Sequence, residues 1–367
     1  MADKIRVGFI GVGNIFPQYV RGCRAFDILE IAAVSDLDVQ RAKDRAKEFD
    51  IPKACSVDEL LADPSIQIVV NLTIPNAHAQ VALKVLEAGK HVYGEKPLAL
   101  SRKEGAAVLE LANAKGLRVG CAPDTFLGGG GQTARKLIED GAIGVPVAAE
   151  AAFISHGPES WHPNPEFYYK QGAGPLFDMG PYYLTALVNL LGPVRRLSGS
   201  ARISFPERIA TSKEKYGLKI AVEVPTHVAG VLEFANGAVG TITTSFDVWR
   251  DYSPQLMIYG SEGSISVPDP NNFDGDVRLW RAGSNKWESI PLTHRTDVGR
   301  GIGVADMAYA IRSGRPHRAS AEMAFHVLDL MEGIPEAAQR GEHLMVGSVC
   351  PQPAPLPAGL KKGVLDE

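Results

Sequence analysis

The chain has 367 residues, which is more than one hydrophobic core usually supports, so two domains are expected. A formal net charge of −4 gives no basic surface for nucleic acid or an anionic membrane, and neither partner is expected. The four cysteines form no C-x-x-C pair, which predicts neither a disulfide scaffold nor a zinc site. With no secretory leader and no membrane-length apolar run, the protein is expected to be cytoplasmic.

The first predicted element is a buried β-strand at Ile5–Ile10, an apolar run too short for a helix. It leads into the turn at 11–16, and Pro17 then suits the first turn of a helix. Gly11 would permit the tight turn, and Gly13 would let a pyrophosphate approach backbone N–H groups at the helix N-terminus. The predicted dinucleotide contacts of this turn are Gly11, Gly13, Asn14 and Ile15.

A second predicted strand, at 31–34, is followed by Asp36, twenty residues after the last position of the G-x-G-x-x-G pattern. A carboxylate at this distance accepts hydrogen bonds from an adenosine ribose. Its charge would repel the 2′-phosphate of NADP, and Leu37 and Asp38 offer no compensating cation. NAD is therefore predicted as the cofactor, with NADP less favoured. Phe16 replaces the third glycine of the pattern, and the alternative is a tight turn that binds no ligand.

Strand and helix signals alternate over the first part of the chain. Further strands are predicted at 66–72, 91–93 and 117–121, with helices at 39–49 and 77–88 and after capping boxes at 56–59 and 101–104. This alternation predicts an α/β fold in which residues 1–122 form a doubly wound parallel sheet, the Rossmann arrangement. Ligands bind at the carboxyl ends of such strands. The further predicted cofactor contacts are Thr73, Pro75, Asn76, His78, Glu95 and Lys96.

The chain resembles the glucose–fructose oxidoreductase / inositol dehydrogenase / rhizopine-catabolism family in four motifs. They are the glycine turn at 11–15, Pro75-Asn76 with His78, Glu95-Lys96-Pro97, and Asp178-x-Gly180. Glu95-Lys96-Pro97 is the most specific of them. In this family the lysine of that motif contacts the reacting hydroxyl of a sugar or cyclitol, so the resemblance implies this role for Lys96. The alternative is a solvated lysine at a strand end. The resemblance also implies a cis peptide bond between Lys96 and Pro97.

The resemblance implies an NAD-dependent dehydrogenase that oxidises a secondary alcohol of a sugar, sugar derivative or cyclitol. Two other functions stay open. One is redox-assisted glycoside cleavage, in which tightly held NAD is reduced and reoxidised within one turnover. The other is a non-catalytic dinucleotide-binding regulator. This function is mildly favoured because the chain has Tyr182 at a position where members of the family have a histidine.

Residues 123–345 are predicted to form an α+β domain with a large, mostly antiparallel open sheet. The glycine run at 128–131 is interpreted as a flexible connection, with a helix at 132–140 and an Asn236-Gly237 hairpin. The resemblance implies that a partner subunit covers the open sheet face, so a homodimer or homotetramer is expected. The strands of residues 123–345 are predicted at 145–154, 202–205, 219–234, 238–246, 255–259 and 277–280.

The proline-rich segment 346–367 is expected to be an extended arm or disordered.

The stretch 172–192 is the second candidate for chemistry. Pro181 suits a first helical turn, and Asp178, Tyr182 and Thr185 follow one another at helical spacing, so their side chains would share one face. The family pattern is Asp-x-Gly-x-His-x-x-Asp, and this chain has Tyr182 in place of the histidine and Thr185 in place of the last aspartate. Asp178 could instead serve only as a helix N-cap. The catalytic candidates are Lys96, Asp178 and Tyr182.

The proposed reaction needs a base within reach of the hydroxyl. Tyr182 is predicted to accept the proton and Lys96 to polarise the hydroxyl, although Lys96 could itself be the base.

Asp269–Gly275 lacks the ligand spacing of a calcium loop, so an Asx turn and no metal site are predicted. Candidate substrate contacts are Asp124, His156, His162, Thr185 and His227.

Overall fold

The computed structural model describes residues 4–249 and 255–366. The chain forms two compact units, and each is assembled from separate stretches of the chain. The first unit contains the residues up to 132 together with 292–328 and the residues from 353 onward. The second unit contains residues 133–291 and 329–352.

The first unit contains a five-stranded parallel sheet with the strand order β2-β1-β3-β4-β5. Its strands are buried almost throughout, as is usual for a parallel sheet in an α/β protein. The predicted doubly wound sheet is confirmed. The strands are β1 (Ile5–Ile10), β2 (Leu29–Ser35), β3 (Ile68–Asn71), β4 (His91–Gly94) and β5 (Val119–Cys121). The helices of this part of the chain are α1 (Phe16–Arg24), α2 (Val39–Glu48), α3 (Val57–Ala62), α4 (His78–Glu87) and α5 (Arg102–Lys115).

Local signals in the sequence explain where these helices begin and end. Ser56 and Glu59 form the predicted capping box at the start of α3. Ser101 accepts the backbone N–H of Glu104 and so caps α5, which ends at Gly116 in the left-handed conformation with φ of 63°. Such caps satisfy backbone groups that a helix end would otherwise leave without partners.

The second unit contains a nine-stranded, mostly antiparallel sheet with the strand order β15-β14-β13-β12-β6-β11-β10-β7-β16. A separate two-stranded ribbon, β8-β9, lies outside it. The predicted hairpin is confirmed, because β10 and β11 pair in antiparallel fashion around Asn236-Gly237. The strands are β6 (Pro146–Ile154), β7 (Val194–Arg202), β8 (Glu207–Ile209), β9 (Lys219–Ala221), β10 (His227–Phe234), β11 (Val239–Ser245), β12 (Leu256–Gly260), β13 (Gly263–Val267), β14 (Val277–Arg281), β15 (Glu288–Ile290) and β16 (Leu344–Met345).

Five further helices complete the described chain. All twelve residues of the helix Gly180–Leu191 (α8) are buried, which agrees with its mostly apolar composition. The sheet carries Gly199 and Gly230 where α10 approaches, and a Cβ at Gly199 would lie 2.6 Å from the side chain of Ile334. These helices are α6 (Gly129–Glu139), α7 (Gly174–Asp178), α8 (Gly180–Leu191), α9 (Ile302–Ser313) and α10 (Ala321–Arg340). No helix within 4–249 or 255–366 combines the length and apolar composition needed to cross a bilayer.

Three predictions about local structure were wrong. The strand expected at 202–205 is β7, which ends at Arg202, and Phe205 beyond it is 48% exposed. The run 219–234 forms two strands instead of one, because Pro225 has no N–H with which to continue a ladder. The glycine run is not a flexible connection but the start of α6. A Cβ at Gly129 would lie 2.9 Å from the carbonyl oxygen of Arg295, so glycine is required here for close packing.

The proline-rich segment after β16 has no regular secondary structure, yet it packs against other residues. Pro353, Leu356 and Leu365 are buried. Within the first unit, the guanidinium of Arg318 donates hydrogen bonds to the carbonyl oxygens of Ala354 and Pro355. The segment is therefore held by specific contacts, although the chain there runs without a helix or strand.

Candidate active site

The glycine turn after β1 has the geometry of a dinucleotide-binding turn. Gly11 has a φ of +93°, and a Cβ there would lie 2.6 Å from the carbonyl oxygen of Leu72. Gly13, in contrast, has no heavy atom within 4 Å of an added Cβ, so there is open space beside it. Asn14 is exposed, and no side chain caps α1 at its N-cap residue, Ile15. Open space beside an uncapped helix N-terminus fits the pyrophosphate of a dinucleotide.

Phe16 replaces the third glycine of the pattern without leaving a gap. Its side chain is fully buried, and its ring meets Phe9 edge-on at 5.4 Å and Phe49 at 5.6 Å. Edge-to-face aromatic pairs of this kind stabilise a core beyond the area they bury. Helix α1 is therefore held here by an aromatic cluster instead of the close glycine contact of the standard pattern.

Asp36 lies at the carboxyl end of β2, and its carboxylate accepts several hydrogen bonds. Oδ2 accepts the backbone N–H of Val12 at 3.0 Å, Oδ1 accepts that of Asp38 at 3.0 Å, and Arg41 donates to Oδ1 at 2.5 Å. Burial raises the pKa of this carboxyl, but the hydrogen bonds from Arg41, Val12 and Asp38 outweigh it and hold the pKa below its ordinary value. Asp36 is thus ionised and fixed beside the glycine turn.

His78 connects the ends of two neighbouring strands. Its Nδ1 lies 2.7 Å from the carbonyl oxygen of Pro97, and its Nε2 lies 3.0 Å from that of Thr73. Burial lowers the pKa of the imidazole, and the two carbonyl oxygens oppose that shift. Thr73 is held in turn by Asn71, whose Oδ1 accepts its hydroxyl at 2.7 Å. A neutral imidazole has one N–H, so the ring donates to one of the two carbonyl oxygens while it lies between the segment after β3 and the loop after β4.

The remaining predicted contacts after β3 lie on a short 3-10 turn. Pro75 and Asn76 belong to the turn Pro75–Ala77, where Pro75 is partly exposed and Asn76 is exposed. Both follow the carboxyl end of a parallel strand, as expected from the sequence. Their role in cofactor binding stays a prediction.

The Glu95-Lys96-Pro97 loop follows β4, and its Lys96–Pro97 peptide bond is cis, as predicted. The carboxylate of Glu95 accepts the backbone N–H of Lys96 at 3.0 Å through Oε2. Its other oxygen, Oε1, accepts the hydroxyl of Tyr19 at 2.8 Å. The Lys96 residue is partly exposed, whereas Glu95 is 9% exposed. The motif therefore places a partly exposed lysine at the carboxyl edge of the sheet, next to a buried carboxylate.

Asp124 is fully buried in the first unit, and its Oδ2 accepts the backbone N–H groups of Gly301 at 2.9 Å and Gly303 at 3.0 Å. Burial raises the pKa of its carboxyl, while the Gly303 N–H and the charge of Arg300 oppose that shift. These contacts join the chain after β5 to the loop before α9. The predicted substrate contact of Asp124 is untested, and its described hydrogen bonds are all to backbone.

Helix α8 holds two of the three candidates from the second chemical stretch. Tyr182 and Thr185 both lie within it and are 5% and 3% exposed. Asp178 instead ends α7, and α8 begins at Gly180 with Met179 as its N-cap and no capping side chain. The alternative that Asp178 caps this helix is therefore wrong. Pro181 lies in the first turn of α8, as predicted.

A buried ion-pair cluster in the second unit fixes the segment that carries two of the candidate histidines. Arg208 donates to Glu159 at 2.7 Å, to Asp247 at 2.8 Å and to the carbonyl oxygen of His156 at 2.8 Å. Tyr169 donates its hydroxyl to the second oxygen of Glu159. Sequence analysis missed this cluster, because its members are separated by long stretches of chain and share no motif.

The candidate histidines of the second unit lie in aromatic or polar surroundings. The ring of His156 stacks on Trp249 with centroids 3.6 Å apart, and that of His162 meets Tyr168 edge-on at 4.9 Å. His227 lies on β10, where its Nδ1 is 2.9 Å from the hydroxyl of Ser245. Their role as substrate contacts stays a prediction. The described residues contain no group of three or more His, Cys, Asp or Glu side chains arranged to hold a metal ion.

A parallel sheet with this glycine turn, an anchored acid after β2 and a Glu-Lys-Pro loop after β4 is the arrangement expected of an NAD-binding oxidoreductase. Comparison with protein-family models agrees. Residues 5–122 match the oxidoreductase family with an NAD-binding Rossmann fold, and residues 132–266 match the GFO/IDH/MocA C-terminal domain. The chain belongs to the GFO/IDH/MocA oxidoreductase family, and the prediction of NAD as its cofactor is confirmed.

Individual relatives cover most of the chain. A levoglucosan dehydrogenase of Pseudarthrobacter phenanthrenivorans is 26% identical, over 72% of this chain and 73% of that protein. A myo-inositol 2-dehydrogenase of Thermotoga maritima is 24% identical, over 71% of this chain and 74% of that protein. A solved structure of levoglucosan dehydrogenase with NADH and L-sorbose is 23% identical, with a TM-score of 0.80, covering 94% of this chain and 99% of that one. It has the same fold.

Proposed function

We propose that the protein is an NAD-dependent dehydrogenase that oxidises a secondary alcohol of a sugar, sugar derivative or cyclitol. The observation that carries this proposal is the Glu95-Lys96-Pro97 loop, whose lysine lies at the carboxyl end of β4 and whose backbone is fastened by His78. Ligands of open α/β sheets bind at this edge. The named activities of the relatives, on levoglucosan and myo-inositol, support the substrate class.

The proposed catalytic residues divide the steps of the reaction among them. NAD, when bound, accepts the hydride. Lys96 orients and polarises the reacting hydroxyl through its ammonium group, Tyr182 accepts the hydroxyl proton at its phenol oxygen, and Asp178 positions the substrate or the lysine. A phenol has an ordinary pKa of about 10, so Tyr182 can act as a base only where positive charge stabilises its anion. If Lys96 is itself the base, Tyr182 lines the substrate pocket.

The proposed binding of NAD gives tasks to the glycine turn and to Asp36. The glycine turn with Gly11, Gly13, Asn14 and Ile15 would hold the pyrophosphate, and Asp36 would accept hydrogen bonds from the adenosine ribose. A homodimer or homotetramer formed through the open sheet of the second unit is proposed as the assembly.

The test is a panel of sugars and cyclitols incubated with NAD, with NADH formation followed by absorbance. At least one polyol is expected to give NADH in a one-to-one ratio with an oxidised product. Glycoside cleavage without net NADH would point to redox-assisted cleavage. No absorbance change and no cleavage across the panel, with NAD bound in calorimetry, would overturn the proposal and point to a dinucleotide-binding regulator.

A further inference from the structure

Helix α1 carries a tyrosine whose hydroxyl contacts the Glu95-Lys96-Pro97 loop. Tyr19 is fully buried, and its hydroxyl donates to Oε1 of Glu95 at 2.8 Å. The other oxygen of the same carboxylate, Oε2, accepts the backbone N–H of Lys96 at 3.0 Å. One carboxylate therefore links the helix that follows the glycine turn to the backbone of the lysine.

The backbone of Glu95 is fixed independently of its side chain. Its N–H donates to the carbonyl oxygen of Asn71 at 3.0 Å, and its own carbonyl oxygen accepts the thiol of Cys121 at 3.6 Å. The side chain can therefore change orientation only by rotating about its own bonds. The hydrogen bond from Tyr19 restricts that rotation, because the carboxylate is buried and cannot exchange this donor for bulk water.

A second group restrains the same oxygen. The guanidinium of Arg300 lies 3.9 Å from Oε1 of Glu95. The backbone at Arg300 is confined from two sides. A Cβ at Gly22 would lie 1.8 Å from the Arg300 carbonyl oxygen, and Asp124 binds the N–H groups of the following Gly301 and Gly303.

We infer that Tyr19 is a positioning residue for Lys96 that acts through Glu95, with Arg300 as the second support of that carboxylate. The inference rests on the proposed function, which gives Lys96 its task. Without the Tyr19 hydroxyl, the described partner that Oε1 retains is the more distant guanidinium, and the carboxylate turns toward it and away from the Lys96 N–H. The lysine Cα, directly bonded to that nitrogen, is then less well fixed. A displacement of about 1 Å in a catalytic group can lower the rate by roughly 100-fold.

The first measurement needs neither substrate nor cofactor. Tyr19→Phe is compared with wild type for the rate at which acetic anhydride labels Lys96, read by mass spectrometry. We expect the labelling rate of Lys96 to change by about threefold or more and that of Lys103 on α5 to stay the same. Only the environment of Lys96 is altered by the substitution. Tyr309→Phe is the matched control. It also removes a tyrosine hydrogen bond within the first unit, to the carbonyl oxygen of Gly363, and should leave Lys96 labelling unchanged.

The second measurement is kinetic and uses a polyol identified in the panel. Tyr19→Phe should lower kcat roughly 10- to 100-fold with little change in NAD affinity, because the glycine turn and Asp36 remain intact. The effects of Tyr19→Phe and Glu95→Gln should be less than multiplicative in the double variant, because both act through one carboxylate. If Tyr19→Phe does not fold, the labelling and kcat of Glu95→Gln decide the question in the same way.

The outcomes separate this inference from the proposed function. Unchanged Lys96 labelling and unchanged kcat in a less stable Tyr19→Phe protein would mean that the hydrogen bond is only structural and would overturn the inference. An inactive Lys96→Met protein beside a fully active Tyr19→Phe protein would overturn the inference alone. A fully active Lys96→Met protein would instead overturn the proposed task of the lysine.

Discussion

The guanidinium of Arg41, on α2, lies 2.5 Å from the carboxylate of Asp36 at the end of β2. The side chain of Arg41 is 53% exposed, whereas that of Asp36 is 5% exposed. The sequence argument for NAD looked for a cation only at the two residues directly after Asp36, Leu37 and Asp38, and so missed this arginine. The carboxylate that we propose disfavours a 2′-phosphate is accompanied by a cation able to bind one.

Cofactor preference should therefore depend on Asp36 strongly. The wild-type protein should bind NAD at least about tenfold more tightly than NADP, a difference of about 1.4 kcal/mol. Asp36→Ala should narrow or reverse this difference, because it removes the repulsion and leaves Arg41 available to the 2′-phosphate. Titration calorimetry with both dinucleotides measures the change. Asp44→Asn, a loss of the same charge from the exposed part of α2, is the control. Equal affinities in the wild type would contradict the argument.

The identity of the base can be tested on adjacent tyrosines. Tyr182→Phe should lower kcat roughly 10²- to 10⁴-fold with NAD affinity unchanged, because it removes the proposed proton acceptor. Tyr183→Phe is the matched control, since the Tyr183 hydroxyl is buried and has no hydrogen-bond partner among the described residues. It should keep its activity. Near-normal kcat in Tyr182→Phe beside an inactive Lys96→Met would assign the base to the lysine.

Acid should destabilise the first unit through His91. Burial lowers the pKa of this imidazole from 6.5 to about 4, and the charges of Arg118 and His317 add to the shift. Its Nδ1 accepts the backbone N–H of Arg118 at 2.9 Å, which requires the neutral ring. The unfolded chain takes up the proton below pH 6.5 and the folded chain only near pH 4, so the free energy of unfolding falls as the pH falls between these values.

The test is urea unfolding of the wild type and of His91→Asn across this pH range. Asparagine keeps an acceptor for the Arg118 N–H but cannot be protonated, so the variant should lose part of the pH dependence. His78 and His317 have pKa values that burial also lowers, and their contributions should remain. His343→Asn makes the same substitution at an exposed histidine and is measured beside His91→Asn. An identical slope in His91→Asn would refute the assignment.

The first unit should depend strongly on Asp306 for stability. Its carboxylate is fully buried, and it accepts hydrogen bonds from the Arg315 guanidinium at 2.8 Å and from the backbone N–H of Arg318 at 2.6 Å. Asp306→Ala leaves the buried guanidinium of Arg318 without this acid, which should lower the free energy of unfolding by about 3–5 kcal/mol. Asp276→Ala breaks an exposed pair with Arg278 and should cost less than about 1 kcal/mol. Chemical denaturation compares the two.

The same variant should loosen the proline-rich segment. Arg318 donates to the carbonyl oxygens of Ala354 and Pro355, and Asp306 holds that guanidinium in place. Limited proteolysis should therefore cut Asp306→Ala near these residues sooner than it cuts the wild type. Equal cleavage rates would show that the segment is held by its buried apolar residues instead.

Local sequence patterns were sufficient for most of the elements but not for the contacts between distant residues. The capping box at Ser56 and the hairpin at Asn236-Gly237 are encoded within a few neighbouring residues, and both were predicted. The link between Tyr19 and Glu95 spans 76 positions, and that between Asp124 and Gly301 spans 177. A tyrosine on an apolar helix face or an aspartate after a strand gives no sign of such a partner. Pro225 did mark the break between β9 and β10, and the prediction overlooked it.

The discontinuity of the first unit has a consequence for synthesis. The backbone N–H of Cys121 on β5 donates to the carbonyl oxygen of Ala319, and Gly120 pairs with Ser320. Gly301, which donates its backbone N–H to Asp124, is translated 177 residues after it. At about 5–20 residues per second this delay is roughly 10 to 35 s. During that interval the nascent chain exposes an open sheet edge and an acid without its partners, while residues 133–291 are being made. We therefore expect a ribosome-bound intermediate of this protein to bind chaperones that recognise unpaired strands.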